Sequence, residues 1–247
     1  MSKAAKEIAQ LGNKLAFNAF IFDGDDTLWE TQTLYDQAKK RFAALMRSEG
    51  FSSRQALALL AEIDLENVRR LGFSRQRFPR SLKETYRALA NNSGRKAQSR
   101  VLRRISIFGQ SVFKRSPRLI AGARTLLREL HGKVHLVLMT AGDPAVQRRR
   151  IKASGLEKYF DFIDIPRIKT PKEYRRLVKR LRLNPSKTWM VGNSMKSDIL
   201  PAHKSGLQTL WVAGRGWEYD FSVKQGKFVA RVSNLKRVKD ILVRNLK

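Results

Sequence analysis

Two aspartates separated by one residue are the first groups in this chain whose type and spacing suggest catalysis. Asp23 and Asp25 directly follow the apolar run Ala19–Phe22. One such carboxylate can attack phosphorus to form an aspartyl-phosphate, which divides a difficult displacement into two easier steps. The other can protonate the leaving oxygen and later deprotonate water. The pair is therefore suited to phosphoryl transfer, but an isolated Asp-x-Asp is more often part of a turn or a helix cap, so further groups are needed.

Further polar groups follow later apolar runs and could complete such a site. In chain order they are Thr140, Lys169, Asn193 and Asp198. Thr140 and Lys169 would bind phosphoryl oxygens through a hydrogen bond and a charge. Magnesium prefers oxygen ligands and keeps several waters, so Asp23, a loop carbonyl and Asp198 would suffice to hold one ion. Because ligands bind beyond the carboxyl ends of parallel strands, we expect these groups to converge there.

The order of the predicted elements indicates an α/β fold: a Rossmann-like parallel sheet core with an inserted α-helical cap domain. Residues 31–117 show helical periodicity without a strand signal, whereas helices and short apolar runs alternate from residue 118 onward. Strands are expected at 19–22, 134–139, 162–165, 188–191 and 207–212. The tail is predicted to hold a hairpin around Gln225 and a terminal helix. We therefore expect the core to comprise residues 1–30 and 118–247, with the cap at 31–117.

Two helices of this pattern have clear start signals. Asp143 followed by Pro144 supplies an N-cap and a first-turn proline. Thr170, Pro171 and Glu173 form a capping box at the start of an apolar stripe. Both helices are therefore expected to begin shortly after a candidate site residue.

The four motifs together resemble those of the haloacid dehalogenase superfamily, specifically its phosphatase branch. Residues 21–29 (IFDGDDTLW) resemble the first motif, Thr140 the second, Lys169 the third, and residues 190–198 (MVGNSMKSD) the fourth. The resemblance covers about residues 17–235. It implies Asp23 as nucleophile, Asp25 as acid and base with its main-chain carbonyl on Mg²⁺, and Asp198 as a metal ligand.

The resemblance also implies a helical cap of the C1 type, inserted after the first motif, that closes over the site and selects substrates. The residues expected to contact the substrate are Thr140, Ala141, Lys169 and Trp29. For Trp29 the alternative is ordinary core packing. Lys172 competes with Lys169 as the phosphate-binding lysine, but Lys172 falls inside the predicted helix. The fourth motif more often has Asp where this chain has Asn193, so the expected metal site carries one negative charge less.

The formal net charge of +30 is the most unusual bulk property of the chain. A field of this sign attracts nucleic acid, anionic membranes or phosphorylated small molecules. The excess is spread along the chain, and short clusters such as residues 148–150 lie in helical segments, which indicates solvated helix faces. The charge therefore permits a nucleic-acid partner without identifying one.

Several classes of protein are excluded or disfavoured by composition. The chain has no cysteine, which excludes disulfides, thiolate nucleophiles and zinc–cysteine sites, and its three histidines lack metal-ligand spacing. No apolar run approaches the roughly 18 residues that a membrane span needs. The first residues do not resemble a secretory signal. We expect a cytoplasmic protein that does not engage a membrane.

The sequence thus predicts a magnesium-dependent phosphomonoester hydrolase acting on a phosphorylated metabolite or nucleotide. Dehalogenases of the superfamily lack the second carboxylate, so Asp25 argues against that activity. A sugar-phosphate mutase and a phosphonate hydrolase with a cap lysine stay compatible with the motifs. The alternative of another class is a basic nucleic-acid-binding or scaffolding protein that retains the fold. The physiological substrate and the oligomeric state are left open.

Overall fold

The computed structural model describes residues 19–214 and 230–238. Its strands are β1 (Ala19–Phe22), β2 (Trp29–Glu30), β3 (Arg118–Leu119), β4 (His135–Met139), β5 (Phe162–Asp164), β6 (Thr188–Gly192), β7 (Gln208–Val212) and β8 (Ala230–Val232). Six of them form one sheet in the order β5-β4-β1-β6-β7-β8, in which all neighbours are parallel. The predicted α/β fold is confirmed, and the five expected strands agree with the observed bounds to within one residue at each end.

The sheet is buried on both faces, as a parallel sheet requires. In the central strand β1, Phe20 and Phe22 pack into the hydrophobic cluster on one face, and Ile21 packs into the cluster on the other. This alternation follows from the two-residue period of a strand. All four residues of β1 are buried. The loop after β1 therefore starts from a fixed position at the middle of the sheet.

Four helices lie between β2 and β3: α1 (Gln32–Ser48), α2 (Ser53–Leu71), α3 (Arg77–Asn92) and α4 (Ser99–Lys114). They bury a hydrophobic cluster of their own, which includes Phe42, Leu60, Phe78 and Ile105. A helical region with its own core is what an inserted cap would need. The cap limits of 31–117, the division into domains and the C1 type stay predictions.

A two-stranded antiparallel ribbon, which the sequence did not predict, joins this helical region to the sheet. Trp29 of β2 pairs with Leu119 of β3, and Glu30 pairs with Arg118. The strands are too short to show a two-residue period. The ribbon brings the chain segments entering and leaving the helical region side by side.

Further α-helices are α5 (Ala123–Leu130), α6 (Pro144–Ser154), α7 (Pro171–Leu181) and α8 (Leu200–His203), and Asp198 lies in a π-helical turn, Met195–Ile199. The predicted start signals of two of them are confirmed. The Asp143 carboxylate accepts hydrogen bonds from the main chain at the start of α6, and the Thr170 hydroxyl accepts one from Glu173 N (3.3 Å) at the start of α7. These caps fix the loops that carry Thr140 and Lys169.

The predicted hairpin around Gln225 lies outside the described residues, as does the chain beyond residue 238 where the terminal helix was expected. Among the helices that are described, none combines the length and the apolar character needed to cross a membrane.

Candidate active site

The sheet order brings the predicted site residues to one edge. β1 lies between β4 and β6, so the segments following these strands and β5 meet at their carboxyl ends. A cavity of about 150 Å³ lies there between the sheet and the helical region. The predicted residues that line it are Asp23, Asp25, Thr140, Ala141, Lys169, Asn193 and Asp198. Lys172 lies in α7 and is not among the lining residues.

Lys169 joins two carboxylates at the base of the cavity. Its Nζ donates to Asp23 Oδ1 and to Asp198 Oδ1, at 2.6 Å each, and all three side chains are buried. Burial alone would lower the pKa of Lys169, but the charges of Asp198 and Asp23 outweigh it and raise that pKa. The ammonium group therefore stays protonated and fixes the two aspartates relative to each other.

Asp23 is held by its backbone as well as by Lys169. Its N–H donates to Val191 O at 2.9 Å, which ties the start of the acidic loop to β6. Burial, and next the charge of Asp198, raise the pKa of Asp23 to about 8, although Lys169 acts in the opposite direction. One lysine thus faces two buried carboxylates, an arrangement that a further cation would stabilise.

Thr140 and Ala141 present polar groups that the protein leaves unused. Thr140 Oγ1 is buried and has no hydrogen-bond partner among the described residues. A Cβ added at Gly24 would come within 3.2 Å of this oxygen, so the hydroxyl lies against the acidic loop. The Ala141 N–H donates to no main-chain carbonyl in the described part of the chain. Both groups can donate to an oxygen of a bound ligand.

Asp25 is held by three side chains. Its Oδ1 accepts from Trp29 Nε1 (2.7 Å), and its Oδ2 accepts from Gln147 Nε2 (3.0 Å) and Arg150 Nη1 (2.6 Å). Trp29 itself is fully buried in the core and is not a lining residue of the cavity. This corrects the expected substrate contact of Trp29 in favour of core packing: its ring is buried and its indole N–H orients the Asp25 carboxylate.

Gln147 and Arg150 are site residues that the sequence analysis missed. Both lie on α6, three residues apart and therefore on one helix face, and both are buried. The interpretation of residues 148–150 as a solvated face is right for Arg148 and Arg149, which are exposed, and wrong for Arg150. The signal that could have revealed this was the apolar Val146 and Ile151 beside them, which place that side of α6 against the core.

The loop of the fourth motif is built around Asp198. Its Oδ2 accepts from Ser194 N at 3.0 Å, and a Cβ at Gly192 would lie 2.4 Å from the same oxygen, so only glycine leaves room for this carboxylate. Asn193 Oδ1 accepts from the Thr27 hydroxyl at 3.1 Å. The residue that replaces the usual aspartate is thus oriented by the first motif.

The oxygens at this end of the cavity suit Mg²⁺. No group of three or more His, Cys, Asp or Glu able to hold a metal occurs in residues 19–214 and 230–238. The oxygens available to a cation are instead those of the Asp23 and Asp198 carboxylates, Asn193 Oδ1 and the Asp25 carbonyl, which accepts no main-chain hydrogen bond in the described residues. Two carboxylates supplemented by carbonyl oxygen and water match the preference of this ion.

The opposite wall of the cavity comes from the helical region. Tyr35 of α1, Asp64 of α2 and Arg77 of α3 line it, and Asp64 and Arg77 form a buried ion pair. Burial raises the pKa of Tyr35, while the neighbouring guanidinium groups of Arg77 and Arg150 act in the opposite direction. The Tyr35 hydroxyl therefore lies where polar groups of the sheet side and the helical side meet.

Comparison with known proteins identifies phosphatases and a hydrolase structure that this chain resembles. Human N-acylneuraminate-9-phosphatase is 22% identical over 206 residues, which cover 80% of this chain and 83% of that protein. The pyrimidine 5′-nucleotidase PynA of Streptococcus pneumoniae is 25% identical over 211 residues, with coverage of 79% and 83%. The crystal structure of a haloacid dehalogenase-like family hydrolase from Xanthomonas campestris superposes with a TM-score of 0.78 at 26% identity, covering 94% of this chain and 92% of that one.

The match to a protein family also covers most of the chain. Residues 17–206 match the family described as haloacid dehalogenase-like hydrolase. This range includes β1, the helical region and every lining residue of the cavity. The expectation of an enzyme of the hydrolase class is thereby confirmed. The chain belongs to the haloacid dehalogenase-like hydrolases.

Proposed function

We propose that the protein is a magnesium-dependent phosphomonoester hydrolase that works through a phosphorylated Asp23. The observation that carries the proposal is the pairing of Lys169 with both Asp23 and Asp198 beside the unpartnered Thr140 hydroxyl. A phosphoryl group requires a nucleophile, a cation and hydrogen-bond donors at one point. The base of the cavity offers all three.

In the first step Asp23 attacks the phosphorus atom of the ester. A bond forms between a carboxylate oxygen and phosphorus, and the bond from phosphorus to the ester oxygen breaks. Asp25 gives its proton to that departing oxygen, a contribution of roughly 10²–10⁴-fold in rate for a well-placed acid. Thr140 Oγ1 and the Ala141 N–H donate to the phosphoryl oxygens, and Lys169 balances their charge.

In the second step water hydrolyses the aspartyl-phosphate. Asp25, now deprotonated, removes a proton from the water as its oxygen attacks phosphorus. The bond between phosphorus and Asp23 breaks, which releases inorganic phosphate and restores the carboxylate. Trp29, Gln147 and Arg150 keep Asp25 in place for both transfers through the three hydrogen bonds to its carboxylate.

Mg²⁺ would be held by Asp23, Asp198 and the main-chain carbonyl of Asp25, with Asn193 as a further neutral ligand. A bound Mg²⁺ neutralises charge on the phosphoryl oxygens and favours the ionised form of the carboxylates that hold it. With Asn193 in place of an aspartate, the site would have one charge less. We therefore expect weaker magnesium binding than a third carboxylate would give.

The substrate class is a small phosphate ester, supported by the two relatives described above, an N-acylneuraminate-9-phosphatase and a pyrimidine 5′-nucleotidase. The net charge of +30 would raise the local concentration of such anions near the cavity. Nucleic-acid binding stays a prediction. A DNA or RNA affinity that falls steeply with salt would support it, and a flat salt response would contradict it.

The proposed function is tested by hydrolysis of p-nitrophenyl phosphate with magnesium and with EDTA. We expect turnover only with magnesium, and its loss in Asp23→Asn. Asp36→Asn is the matched control, because Asp36 lies on α1 and does not line the cavity. Turnover by Asp23→Asn at the wild-type rate would overturn the mechanism.

A further inference from the structure

Two buried polar atoms on α6 have no partner. Gln147 Oε1 and Arg150 Nη2 form no hydrogen bond within the described residues, although both side chains are only 3% exposed. The Tyr35 hydroxyl lies near enough to the Arg150 guanidinium to raise its pKa as a hydrogen-bond partner, but no contact of Nη2 has the distance and angle of a regular hydrogen bond. Both residues line the cavity. Buried polar atoms are nearly always paired, so these two call for an explanation.

The surrounding hydrogen bonds fix which atom of the Gln147 amide is unpartnered. Nε2 donates to Asp25 Oδ2 and to Ala141 O, at 3.0 Å each. Both partners are acceptors, so a flipped amide would place an oxygen against two oxygens. Oε1 is therefore an acceptor in need of a donor. Arg150 Nη2 is a donor in need of an acceptor.

We propose that Gln147 and Arg150 form a subsite that binds one hydroxyl group of the substrate's leaving group. A hydroxyl can accept from Arg150 Nη2 and donate to Gln147 Oε1 at the same time. A carboxylate offers only acceptors and would be repelled by Oε1. An alkyl group would leave both atoms unpaired. The inference rests on the proposed phosphatase function and names its substrate class: a small hydroxylated phosphate monoester of the polyol or sugar type.

The position of the subsite specifies where the hydroxyl must be. Gln147 and Arg150 both donate to Asp25 Oδ2, and Asp25 is the group that would protonate the leaving oxygen. A hydroxyl bound to them must therefore lie on a carbon close to the ester oxygen. The cavity of about 150 Å³ is comparable in volume to one that holds a benzene ring, so a leaving group of a few carbons can lie within it.

The test compares glycerol 3-phosphate with propyl phosphate, which has the same carbon chain and no hydroxyl. For the wild-type chain with magnesium, we expect kcat/KM to be about tenfold or more higher for glycerol 3-phosphate than for propyl phosphate. Propyl phosphate would leave two buried polar atoms without a partner, which weakens binding on this scale. In Gln147→Met and Arg150→Met the ratio should fall towards one. Arg149→Met, an exposed neighbour on α6, is the matched control and should keep the wild-type ratio.

Two results would overturn the subsite: an equal ratio in wild type and Gln147→Met, or a preference for phosphoglycolate, which carries a carboxylate, over glycerol 3-phosphate. If the wild-type chain hydrolyses p-nitrophenyl phosphate but has equal kcat/KM for glycerol 3-phosphate and propyl phosphate, the subsite fails and the proposed function stands. If no ester is hydrolysed, both fail.

Both side chains also hold Asp25, so the variants can lose turnover altogether. A binding measurement avoids this problem because it requires no turnover. Calorimetry with 3,4-dihydroxybutylphosphonate and butylphosphonate, which cannot be hydrolysed, gives the same comparison as a ratio of affinities. The hydroxylated ligand should bind about tenfold tighter to the wild-type chain. Equal affinities of the two phosphonates for the wild-type chain would contradict the subsite.

Discussion

The two ends of the cavity are built in different ways. At the phosphoryl end, Asp23, Thr140, Lys169 and Asp198 lie in segments that follow parallel strands, and Lys169 bonds both aspartates directly. At the leaving-group end, the lining side chains come mainly from faces of α1, α2, α3, α4 and α6. Strand ends are fixed by the hydrogen-bonded sheet, whereas helix faces can be changed without disturbing it. The difference separates the residues that would bind the phosphoryl group from those that face the leaving group, except that Gln147 and Arg150 of α6 also orient Asp25.

This separation has a measurable consequence. A substitution at the phosphoryl end removes an interaction that every phosphate ester makes, so it should lower kcat/KM for all substrates by one factor. A substitution at the leaving-group end should change their ranking.

Lys169→Met should have the largest effect. It removes the cation between Asp23 and Asp198 and leaves two buried carboxylates without their shared partner. We expect kcat/KM to fall roughly 10²–10³-fold, the scale for loss of one preorganised charge-stabilising group. The factor should be the same for p-nitrophenyl phosphate and glycerol 3-phosphate. Lys172→Met, in α7 and outside the cavity lining, should keep wild-type activity, and an equal loss in both variants would contradict the assignment.

Gly192→Ala should weaken magnesium binding. The added Cβ would lie 2.4 Å from Asp198 Oδ2, so the carboxylate must move. We expect the magnesium concentration for half-maximal activity to rise about 10- to 100-fold, as when the supporting shell of a metal ligand is disturbed. Gly214→Ala, where a Cβ meets nothing within 4 Å, is the control. An unchanged magnesium requirement in Gly192→Ala would argue against Asp198 as a ligand.

Thr140→Val should lower activity and raise stability together. The variant loses the hydroxyl that would bind a phosphoryl oxygen, and we expect about tenfold lower kcat/KM. It also removes a buried unpaired hydroxyl, so the free energy of unfolding should rise by up to about 1 kcal/mol. Thermal denaturation measures the second effect.

Two other threonines separate these effects. Thr209 Oγ1 on β7 is also buried and unpartnered, so Thr209→Val should gain stability and keep full activity. Thr188 Oγ1 donates to Asn184 O at 2.7 Å, so Thr188→Val should lose stability. Full activity in Thr140→Val would contradict the proposal that the Thr140 hydroxyl binds a phosphoryl oxygen.

Tyr35→Phe should have the smallest effect and the clearest dependence on substrate. The variant keeps the ring, which packs edge-to-face on Phe78 at 5.0 Å, and loses only the hydroxyl beside Arg150. We expect a few-fold change in kcat/KM that differs between glycerol 3-phosphate and propyl phosphate, in line with one hydrogen bond. An equal change for both esters would place Tyr35 with the phosphoryl end instead.

The same contrast explains what the sequence could predict. Asp23, Thr140 and Lys169 each follow an apolar run that reads as a strand, so their convergence follows from the parallel fold alone. Gln147 and Arg150 carry no such marker. Arg150 stands in a run of three arginines, and the one sequence sign of its burial is its position beside the apolar Val146 and Ile151 on one side of α6.

Trp29 shows a second limit of the sequence. Its position at the end of the first motif suggested a substrate contact. In the structure its ring is buried in the core and its indole N–H donates to Asp25. The turn depends on Gly24, where a Cβ would lie 2.4 Å from the Trp29 ring. Neither a glycine nor a tryptophan in the sequence predicts such a close contact, which only the structure reveals. β2 and β3 were also not predicted, because a strand of two residues is too short to show a sequence pattern.

The most direct test of the central claim is to identify the residue that carries the phosphoryl group during turnover. The reaction with p-nitrophenyl phosphate and magnesium is quenched in acid within the first turnover. Borohydride then reduces any aspartyl-phosphate to homoserine, and peptide mass spectrometry locates it. The account predicts homoserine at position 23 and at no other aspartate, with none in Asp23→Asn. Homoserine at another position, or burst release of p-nitrophenol by Asp23→Asn, would contradict it.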